Sequence, residues 1–289
     1  MNLEFTKAEA LGNDYILLDL FRHPDYERLL DKMGVIAPIL SDRHFGIGGD
    51  GVIFIIPSES YDCEMRIFNS DGSEAEMCGN GIRQVVRYFY ENINSKESVS
   101  VNTKAGLKVI DVLKKDEGLL FRVDMGDPIF EPSKVPVDTS VIDGDRIINR
   151  SFDFGFGKYS INVVSMGNPH CVIFSDDLSG VNLSEIGPRI ERHPLFPNRV
   201  NVEFVRILKS DEIAMRVWER GSGETMACGT GACASVVSAV VNGLVRPGRV
   251  KVHLLGGDLE VEYDGSGRVY MIGGANIVFN GFWQKKLYI

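Results

Sequence analysis

The sequence predicts an α/β (α+β) fold of two pseudo-symmetric halves, each a curved, mostly antiparallel sheet or barrel around a central helix. Three observations support this prediction. Short motifs recur at an offset close to 150 residues, strand-like runs dominate both halves, and one helical stretch follows each of two matching loops. A repeat that covers most of a chain of 289 residues indicates a duplicated structural unit.

The repeated motifs keep the same order in both halves. Gly12-Asn13 returns as Gly167-Asn168, Arg43-His44 as Arg192-His193, Met65–Phe68 as Met215–Trp218, and Met77–Gly81 as Ala227–Gly231. Chance could supply any one of these matches, but their common order and offset favour two similar domains. We expect the first domain to contain residues 1–124 plus 276–289 and the second to contain residues 125–275. The apolar tail from residue 277 onward is expected to return as a strand to the first domain.

The pattern within each half is mostly that of β-strands. Val52–Ile56 and Val202–Val205 are short β-branched and aromatic runs bounded by turn residues. After the first cysteine loop, apolar residues from Ile82 to Ile93 fall at helical spacing. The matching stretch 231–242 is small and apolar on all sides, which predicts a deeply buried helix that stops at Gly243.

Composition excludes several classes of protein. The net charge of −9, without a basic block, argues against a nucleic-acid surface. The amino terminus has no secretory pattern, and the small-apolar run 232–241 is too short to cross a bilayer. The five cysteines form an odd count without a CxxC pair, which is typical of a reduced chain. We therefore expect a cytoplasmic protein with a small-molecule partner and no membrane or nucleic-acid partner.

Two cysteines occupy the matching loops, Met77-Cys78-Gly79-Asn80-Gly81 and Ala227-Cys228-Gly229-Thr230-Gly231. Asn80 and Thr230 are favourable N-cap residues, so each cysteine is expected just before a helix amino terminus. Unpaired N–H groups and the helix dipole at that place favour a thiolate, whose pKa would fall toward neutrality. The flanking glycines leave the backbone amides open to a ligand carboxylate. Two such thiols, one at each face of a bound molecule, can invert a stereocentre by proton transfer.

Other cysteines and motifs predict no chemistry. Cys63, Cys171 and Cys233 read as small buried apolar residues. The segment Gly46–Gly51 formally matches GxGxxG, but a strand-like run follows it where a dinucleotide site needs a helix. No P-loop, GxSxG or HExxH motif is present, and the histidines lack metal-ligand spacing. The sequence therefore predicts neither a cofactor nor a metal.

The chain resembles the diaminopimelate epimerases, a family of pyridoxal-independent amino-acid epimerases. The resemblance runs nearly end to end. It rests on the two cysteine loops and on Gly12-Asn13-Asp14, Phe68–Glu74, Ser165–His170, Arg199-Val200-Asn201 and Glu219–Thr225. It implies interconversion of LL- and meso-2,6-diaminopimelate in lysine and peptidoglycan precursor synthesis. It also implies an active site in the cleft between the two halves, and commonly a homodimer.

The resemblance also implies roles for individual residues. Cys78 and Cys228 would exchange the α-proton, one as thiolate and one as thiol, while His170 and Glu219 tune them and contact the reacting amino group. The implied substrate-binding residues are Asn13, Asn69, Gly79, Asn80, Asn168, Asn201, Glu219, Arg220, Gly229 and Thr230. One departure is visible: Gly51 stands where many relatives carry glutamine.

Three alternatives remain open from the sequence. The enzyme could act on another amino acid such as proline or hydroxyproline, although those substrates give no use for Arg220 and four asparagines. The protein could be a non-enzymatic thiol redox sensor. It could also be an isomerase that has this double fold and does not use its cysteines.

Overall fold

A computed structural model describes residues 3–116, 118–142 and 144–285. The chain divides into two compact units, with boundaries after Val123 and after Ile272. Unit 1 contains both ends of the described chain and unit 2 contains its middle. The sequence-based boundaries, 124/125 and 275/276, fall within three residues of these positions. The last four residues of the tail lie outside the described residues.

Unit 1 is a sheet in which neighbouring strands are mostly antiparallel. Strand β18 pairs with β1 and β1 with β2; β2 and β3 are parallel, β3 and β4 antiparallel, β4 and β6 parallel, and β6, β7 and β8 antiparallel. The elements are β1 Leu3–Ala10, β2 Asn13–Asp19, a 3-10 helix Pro24–Lys32, α1 Met33–Ser41, β3 Gly51–Ile56, β4 Cys63–Asn69, β5 Glu74–Ala75, α2 Gly79–Asn92, β6 Ser98–Thr103, β7 Gly106–Lys115, β8 Gly118–Gly126 and β18 Asn276–Trp283.

Unit 2 repeats this order of pairings. Strands β9, β10 and β11 are antiparallel, β11 and β12 parallel, β12 and β13 antiparallel, β13 and β15 parallel, and β15, β16 and β17 antiparallel. The elements are β9 Arg150–Asp153, β10 Lys158–Ser165, β11 Pro169–Phe174, α3 Leu183–Glu191, β12 Asn201–Lys209, β13 Glu212–Glu219, β14 Gly223–Glu224, α4 Gly229–Val241, β15 Gly248–Leu254, β16 Gly257–Tyr263 and β17 Val269–Gly273. The predicted fold class is therefore confirmed.

Side-chain alternation explains why the central strands are apolar on both faces. In β3, Val52 and Phe54 pack in the cluster that contains α1, whereas Ile53 points to the opposite face and meets Gly81 of α2. In β12, Val202 and Phe204 pack in the equivalent cluster of unit 2. The strands thus lie between two helical layers, which accounts for their continuous apolar runs. Alternation also places residue 203 on the α4 side of β12.

Each unit carries a second helix that the sequence analysis did not predict. These are α1 and α3, of nine residues each, and each contains a proline inside the helix, Pro38 and Pro188. Proline removes one backbone hydrogen bond and weakens the helical pattern in a short segment. Tertiary packing maintains both helices, because Met33, Ile36 and Leu40 of α1 and Leu183 and Ile190 of α3 are buried.

The tail returns to unit 1 as β18, which runs antiparallel to β1 with Leu3 opposite Trp283. The glycine-rich segment 46–50 leads into β3, with no helix after it. Its Gly48 carbonyl accepts a hydrogen bond from the buried Lys7 ammonium. Among the described helices, none is both long and apolar enough to cross a membrane.

Candidate active site

The two cysteines are themselves the N-caps of the two central helices. Cys78 precedes α2 and Cys228 precedes α4, both in extended conformation. In each unit the sulfur accepts a hydrogen bond of 3.4 Å from a first-turn amide, Gly81 N–H or Gly231 N–H. The prediction that Asn80 and Thr230 cap these helices was wrong, because both lie inside the first turn. A thiol in the cap position takes over the task that serine or aspartate usually performs.

The glycine three residues after each cysteine packs closely against a side chain of a neighbouring strand. A Cβ atom on Gly81 would lie 2.9 Å from Ile53 Cδ1, and one on Gly231 would lie 2.8 Å from Glu203 Oε1. The predicted carboxylate-binding residues Gly79, Asn80, Gly229 and Thr230 occupy the first two positions of the helices. Helix geometry leaves N–H groups at these positions without intrahelical acceptors, so they can hold an anion.

In unit 1, the predicted residue Asn13 contacts the thiol. Its Oδ1 atom lies 3.5 Å from Cys78 Sγ, and its Nδ2 atom donates to Asp50 at 2.6 Å. Tyr15, which the sequence analysis did not select, is buried on the same strand. Its pKa is raised well above the usual value by burial, and then by the charge and hydrogen bond of Cys78. Asn69 donates a hydrogen bond to Ser73 Oγ at 3.0 Å, and this bond stabilises the turn that contains both residues.

The departure at Gly51 has a steric reason in this chain. Gly51 pairs with Tyr15 on one side and with Asn69 on the other. A Cβ atom at this position would lie 2.2 Å from the Phe68 carbonyl oxygen and 3.0 Å from Tyr15 Cε1. Tyr15 therefore packs against the space that a side chain at residue 51 would need.

In unit 2, the surroundings of Cys228 are acidic. Burial raises the pKa of this thiol well above its usual value, and the charges of Glu219 and Glu203 raise it further. The hydrogen bonds from Thr230 and from Gly231 N–H lower the pKa of Cys228, but by less than burial and the two carboxylates raise it. The prediction that the helix terminus would bring this pKa toward neutrality was therefore wrong for Cys228. Desolvation and two carboxylates outweigh the stabilisation by the helix terminus.

His170 is completely buried at the start of β11. Its Nδ1 atom lies 2.7 Å from Glu203 Oε1, and its Nε2 atom lies 2.9 Å from Asn168 Oδ1. Two of the predicted residues, His170 and Asn168, therefore contact each other. The imidazole is held at both nitrogens, so its orientation is fixed.

Asn201 links two other predicted residues to this group. Its amide nitrogen donates to the Pro169 carbonyl at 2.9 Å, and its Oδ1 atom accepts from Arg220 N–H at 2.9 Å. Glu219 accepts a hydrogen bond from Thr225. The exposed Arg220 guanidinium donates to the Asn198 carbonyl at 3.2 Å. Asn201 thus links the start of β11 to the turn after β13, and Arg220 remains accessible to an acidic ligand.

The predicted residues form two groups, one in each unit. Unit 1 holds Asn13, Asn69, Cys78, Gly79 and Asn80, and unit 2 holds Asn168, His170, Asn201, Glu219, Arg220, Cys228, Gly229 and Thr230. The residues predicted from the sequence do not include Tyr15 and Glu203. Glu203 had one available signal, because it is a carboxylate within the apolar run of Val202, Phe204 and Val205, all of which are buried.

The remaining cysteines lie in the core, as expected. Cys63, Cys171 and Cys233 are fully buried, and burial raises the pKa of Cys63 to about 12. Within the part of the chain that the structure describes, no cluster of three or more histidine, cysteine or acidic residues could hold a metal ion.

A family profile described as diaminopimelate epimerase matches residues 5–131 and 162–278. The relatives with that name include a protein of Pelotomaculum thermopropionicum, 49% identical over 98% of this chain and 100% of its own length. Another, from Desulfovibrio desulfuricans, is 48% identical over 96% of this chain and 97% of its own length.

Solved structures resemble the fold at much lower identity. A phenazine biosynthesis protein of the PhzF family from Bacillus anthracis matches with a TM-score of 0.68 and 16% identity, over 99% of this chain and all of that one. A hydroxyproline epimerase from Agrobacterium vitis matches with a TM-score of 0.66 and 14% identity, over 98% of this chain and 91% of that one. Both show the duplicated fold alone. Together with the matched profile and the nearly half-identical relatives, the motifs of both units show that this chain belongs to the diaminopimelate epimerase family.

Proposed function

We propose that this protein interconverts LL- and meso-2,6-diaminopimelate without a cofactor, in lysine and peptidoglycan precursor synthesis. The observation that carries the proposal is the matched pair of cysteine-capped helices, which supplies two equivalent acid–base groups in a family of epimerases. Inversion at one carbon needs one group to remove a proton and another to return one to the opposite face.

In the proposed reaction, the thiolate of one cysteine breaks the α-C–H bond of the substrate and forms an S–H bond. The thiol of the other cysteine then delivers its proton to the opposite face of the same carbon. Negative charge develops on the substrate carboxylate between these steps. The amides of Gly79-Asn80 and Gly229-Thr230 stabilise that charge, because they are preorganised donors at the positive ends of two helices.

The protonation state of Cys228 in the free protein follows from its surroundings. Cys228 has a raised pKa because of burial and the carboxylates Glu219 and Glu203, so it carries its proton at neutral pH. We therefore assign Cys228 as the proton donor and Cys78 as the base for the first turnover from the free enzyme. The roles exchange when the reaction runs in reverse.

The remaining residues are assigned by their surroundings. His170 and Glu219 face the reacting amino group and set the charge around Cys228. Arg220 holds the distal carboxylate, since an exposed guanidinium can pair with it in a two-point contact. Asn13, Asn69, Asn168 and Asn201 contact the distal amino-acid end. A substrate with two amino-acid ends gives all of these polar groups a use.

Exchange of the α-hydrogen tests this function directly. The protein is incubated with LL-diaminopimelate in deuterated water, and deuterium entry and meso product are followed by NMR and chiral chromatography. We expect both in the wild type, and losses of several orders of magnitude in Cys78→Ser and Cys228→Ser. Proline and hydroxyproline serve as competing substrates. Label that enters proline but not diaminopimelate would contradict the proposal, and full turnover in both variants would show that the thiols are structural.

We further propose a cytoplasmic homodimer. The chain's five cysteines, an odd count, suit a reducing compartment. Strand β18 exposes a hydrophobic patch of Val278, Phe279 and Phe282, each about half exposed or more. Large apolar side chains grouped on one strand are typical of an interface. A second copy of the chain is the partner that an enzyme of this size most often has.

A further inference from the structure

Glu203 is a buried carboxylate that the proposed reaction does not yet use. It is fully inaccessible to solvent in the centre of β12, and it points toward α4. Its Oε1 atom lies 2.7 Å from His170 Nδ1. Its Oε2 atom has no hydrogen-bond partner among the described residues. Burying a charged carboxylate costs several kcal/mol, and only a good partner offsets that cost.

The other half of the chain shows that packing does not require a carboxylate there. Glu203 pairs with Val217 in β13, and Ile53 pairs with Ile67 in β4, at the same offset of 150 residues. Ile53 Cδ1 and Glu203 Oε1 occupy equivalent places, 2.9 and 2.8 Å from the Cβ positions of Gly81 and Gly231. The fold thus accepts isoleucine at this position. The carboxylate in unit 2 needs a different explanation.

The equivalent positions on the preceding strand differ in the same way. His170 pairs with Asn201 between β11 and β12, and Tyr15 pairs with Gly51 between β2 and β3. Unit 2 therefore has a carboxylate–imidazole pair where unit 1 has isoleucine and tyrosine. A carboxylate on one ring nitrogen of histidine fixes the tautomer and the ring orientation and stabilises the imidazolium.

The carboxylate of this pair lies close to the Cys228 thiol. The Cβ position of Gly231 is 2.8 Å from Glu203 Oε1 and 3.3 Å from Cys228 Sγ. Glu203 Oε1 and Cys228 Sγ can therefore be no further apart than the sum of these two distances. That sum is close to the upper end of the range of about 4–6 Å within which a charge shifts a neighbour's pKa. The other titratable groups around Glu203 are Glu219 of β13 and Cys171 of β11.

We propose that Glu203 is a positioning residue for the epimerisation, which acts through His170 by accepting its Nδ1–H bond and so fixing the tautomer and the orientation of the ring. This inference rests on the proposed function. Glu203 accepts the Nδ1 proton, and the opposite edge of the ring is thereby held toward Asn168. Burial raises the pKa of Glu203, and the His170 charge and hydrogen bond oppose that rise.

Three variants test the role. Glu203→Gln keeps the shape and the acceptor oxygen but removes the charge. Glu203→Ile introduces the isoleucine that unit 1 has at the equivalent position, and Glu203→Asp keeps the charge. We expect kcat to fall about 10- to 100-fold in the first two with little change in KM, as when a residue that orients a functional side chain is lost. Glu203→Asp should recover part of kcat. If Glu203→Ile does not fold, the kcat of Glu203→Gln alone tests the role of the carboxylate.

Histidine NMR gives a readout that is independent of activity. The chain has five histidines, so the His170 ring signal can be assigned by its absence in His170→Asn. The nitrogen chemical shifts of the ring report its tautomer. We expect those of His170 to change in Glu203→Gln, because the glutamine amide can donate to Nδ1 as well as accept from it, so that one tautomer is no longer enforced. Glu191→Gln is the matched control. It neutralises another buried carboxylate of unit 2, one that bonds Trp218 and Gly221, and should leave the His170 nitrogen shifts unchanged.

The outcomes separate the two proposals. Wild-type protein that does not epimerise diaminopimelate contradicts the proposed function, whatever the His170 nitrogen shifts show. If the wild type is active, an unchanged kcat and unchanged His170 nitrogen shifts in folded Glu203→Gln overturn the role of Glu203. A change of equal size in Glu191→Gln would also overturn it, because the effect would then be general to unit 2.

Discussion

The pKa of Cys228 depends on side chains from other strands. Its own loop supplies the Gly231 amide and the Thr230 hydroxyl, which favour the thiolate. Glu203 from β12 and Glu219 from β13 favour the thiol, and with burial they prevail. The residue type alone therefore does not decide whether a helix-capping thiol is charged.

The pH dependence of alkylation at Cys228 should report this balance. We expect its rate with iodoacetamide to keep rising through mildly alkaline pH, because only the thiolate reacts and burial and carboxylates delay its formation. Glu219→Gln should move the rate curve to lower pH, and Thr230→Val should move it to higher pH. Peptide mass spectrometry measures the rate at this residue. A wild-type rate that levels off near neutral pH would contradict the prediction.

Gly51 provides a second prediction at the residue scale. Gly51→Ala should lower the free energy of unfolding by about 1–3 kcal/mol, because the new Cβ collides with the Phe68 carbonyl and the Tyr15 ring. Gly34→Ala is the control, since a Cβ there meets nothing within 4 Å on helix α1. It should be neutral or stabilising by up to about 1 kcal/mol. Urea unfolding measures the free energy of unfolding of both variants. Equal values would contradict the predicted clash at residue 51.

At the scale of elements, each unit uses one helix to do two tasks. Helices α2 and α4 lie against the sheet strands of their own units, and the same helices present a cysteine at their amino ends. The sulfur serves as the cap and, in the proposed reaction, as the acid–base group. Helix position, set by core packing, therefore fixes where each thiol lies.

Serine and alanine substitutions should separate the two tasks. Cys78→Ser and Cys228→Ser should keep their stability, because serine is a preferred N-cap, while activity is lost. The matching alanine variants should lose activity and also about 0.5–2 kcal/mol of stability, because the cap disappears. Thermal and urea unfolding measure the difference. Serine variants as unstable as the alanine variants would show that the sulfur does not serve as a cap.

At the scale of the whole molecule, duplication supplies what is symmetric, and later differences supply what is not. Both units share the order of strand pairings, the capped helix and the buried second helix. They differ at Tyr15 and His170, Ile53 and Glu203, and Asn69 and Glu219. The shared part suits inversion at one carbon. The differing part suits a substrate whose other end must be held.

The association state should depend on the hydrophobic patch of β18. Phe282→Asp and Val278→Asp should convert the proposed dimer to a monomer, because a charge at a buried interface is left without a partner. Leu255→Asp, at an exposed site of unit 2, is the control and should leave the mass unchanged. Light scattering after size-exclusion chromatography measures the mass. A wild-type monomer, or a dimer indifferent to both changes, would contradict the proposal.

The sequence by itself determined the features that depend on local order. Spacing predicted the repeat, α2, α4, β3 and β12, and the two cysteine loops carried the family resemblance. Helices α1 and α3 escaped prediction because prolines interrupt their pattern and packing alone sustains them. The cap residue was also misassigned, since asparagine and threonine have the stronger local preference and the fold places cysteine there.

Only the tertiary structure decided the electrostatics of the site. His170 and Glu203 are 33 residues apart in sequence and 2.7 Å apart in space. The pKa of Cys228 depends on burial and on carboxylates from two other strands. Local propensity is a property of neighbours along the chain. Desolvation and charge interactions are properties of neighbours in space, so the sequence identified the two thiols of the proposed reaction and the fold set the protonation state of Cys228.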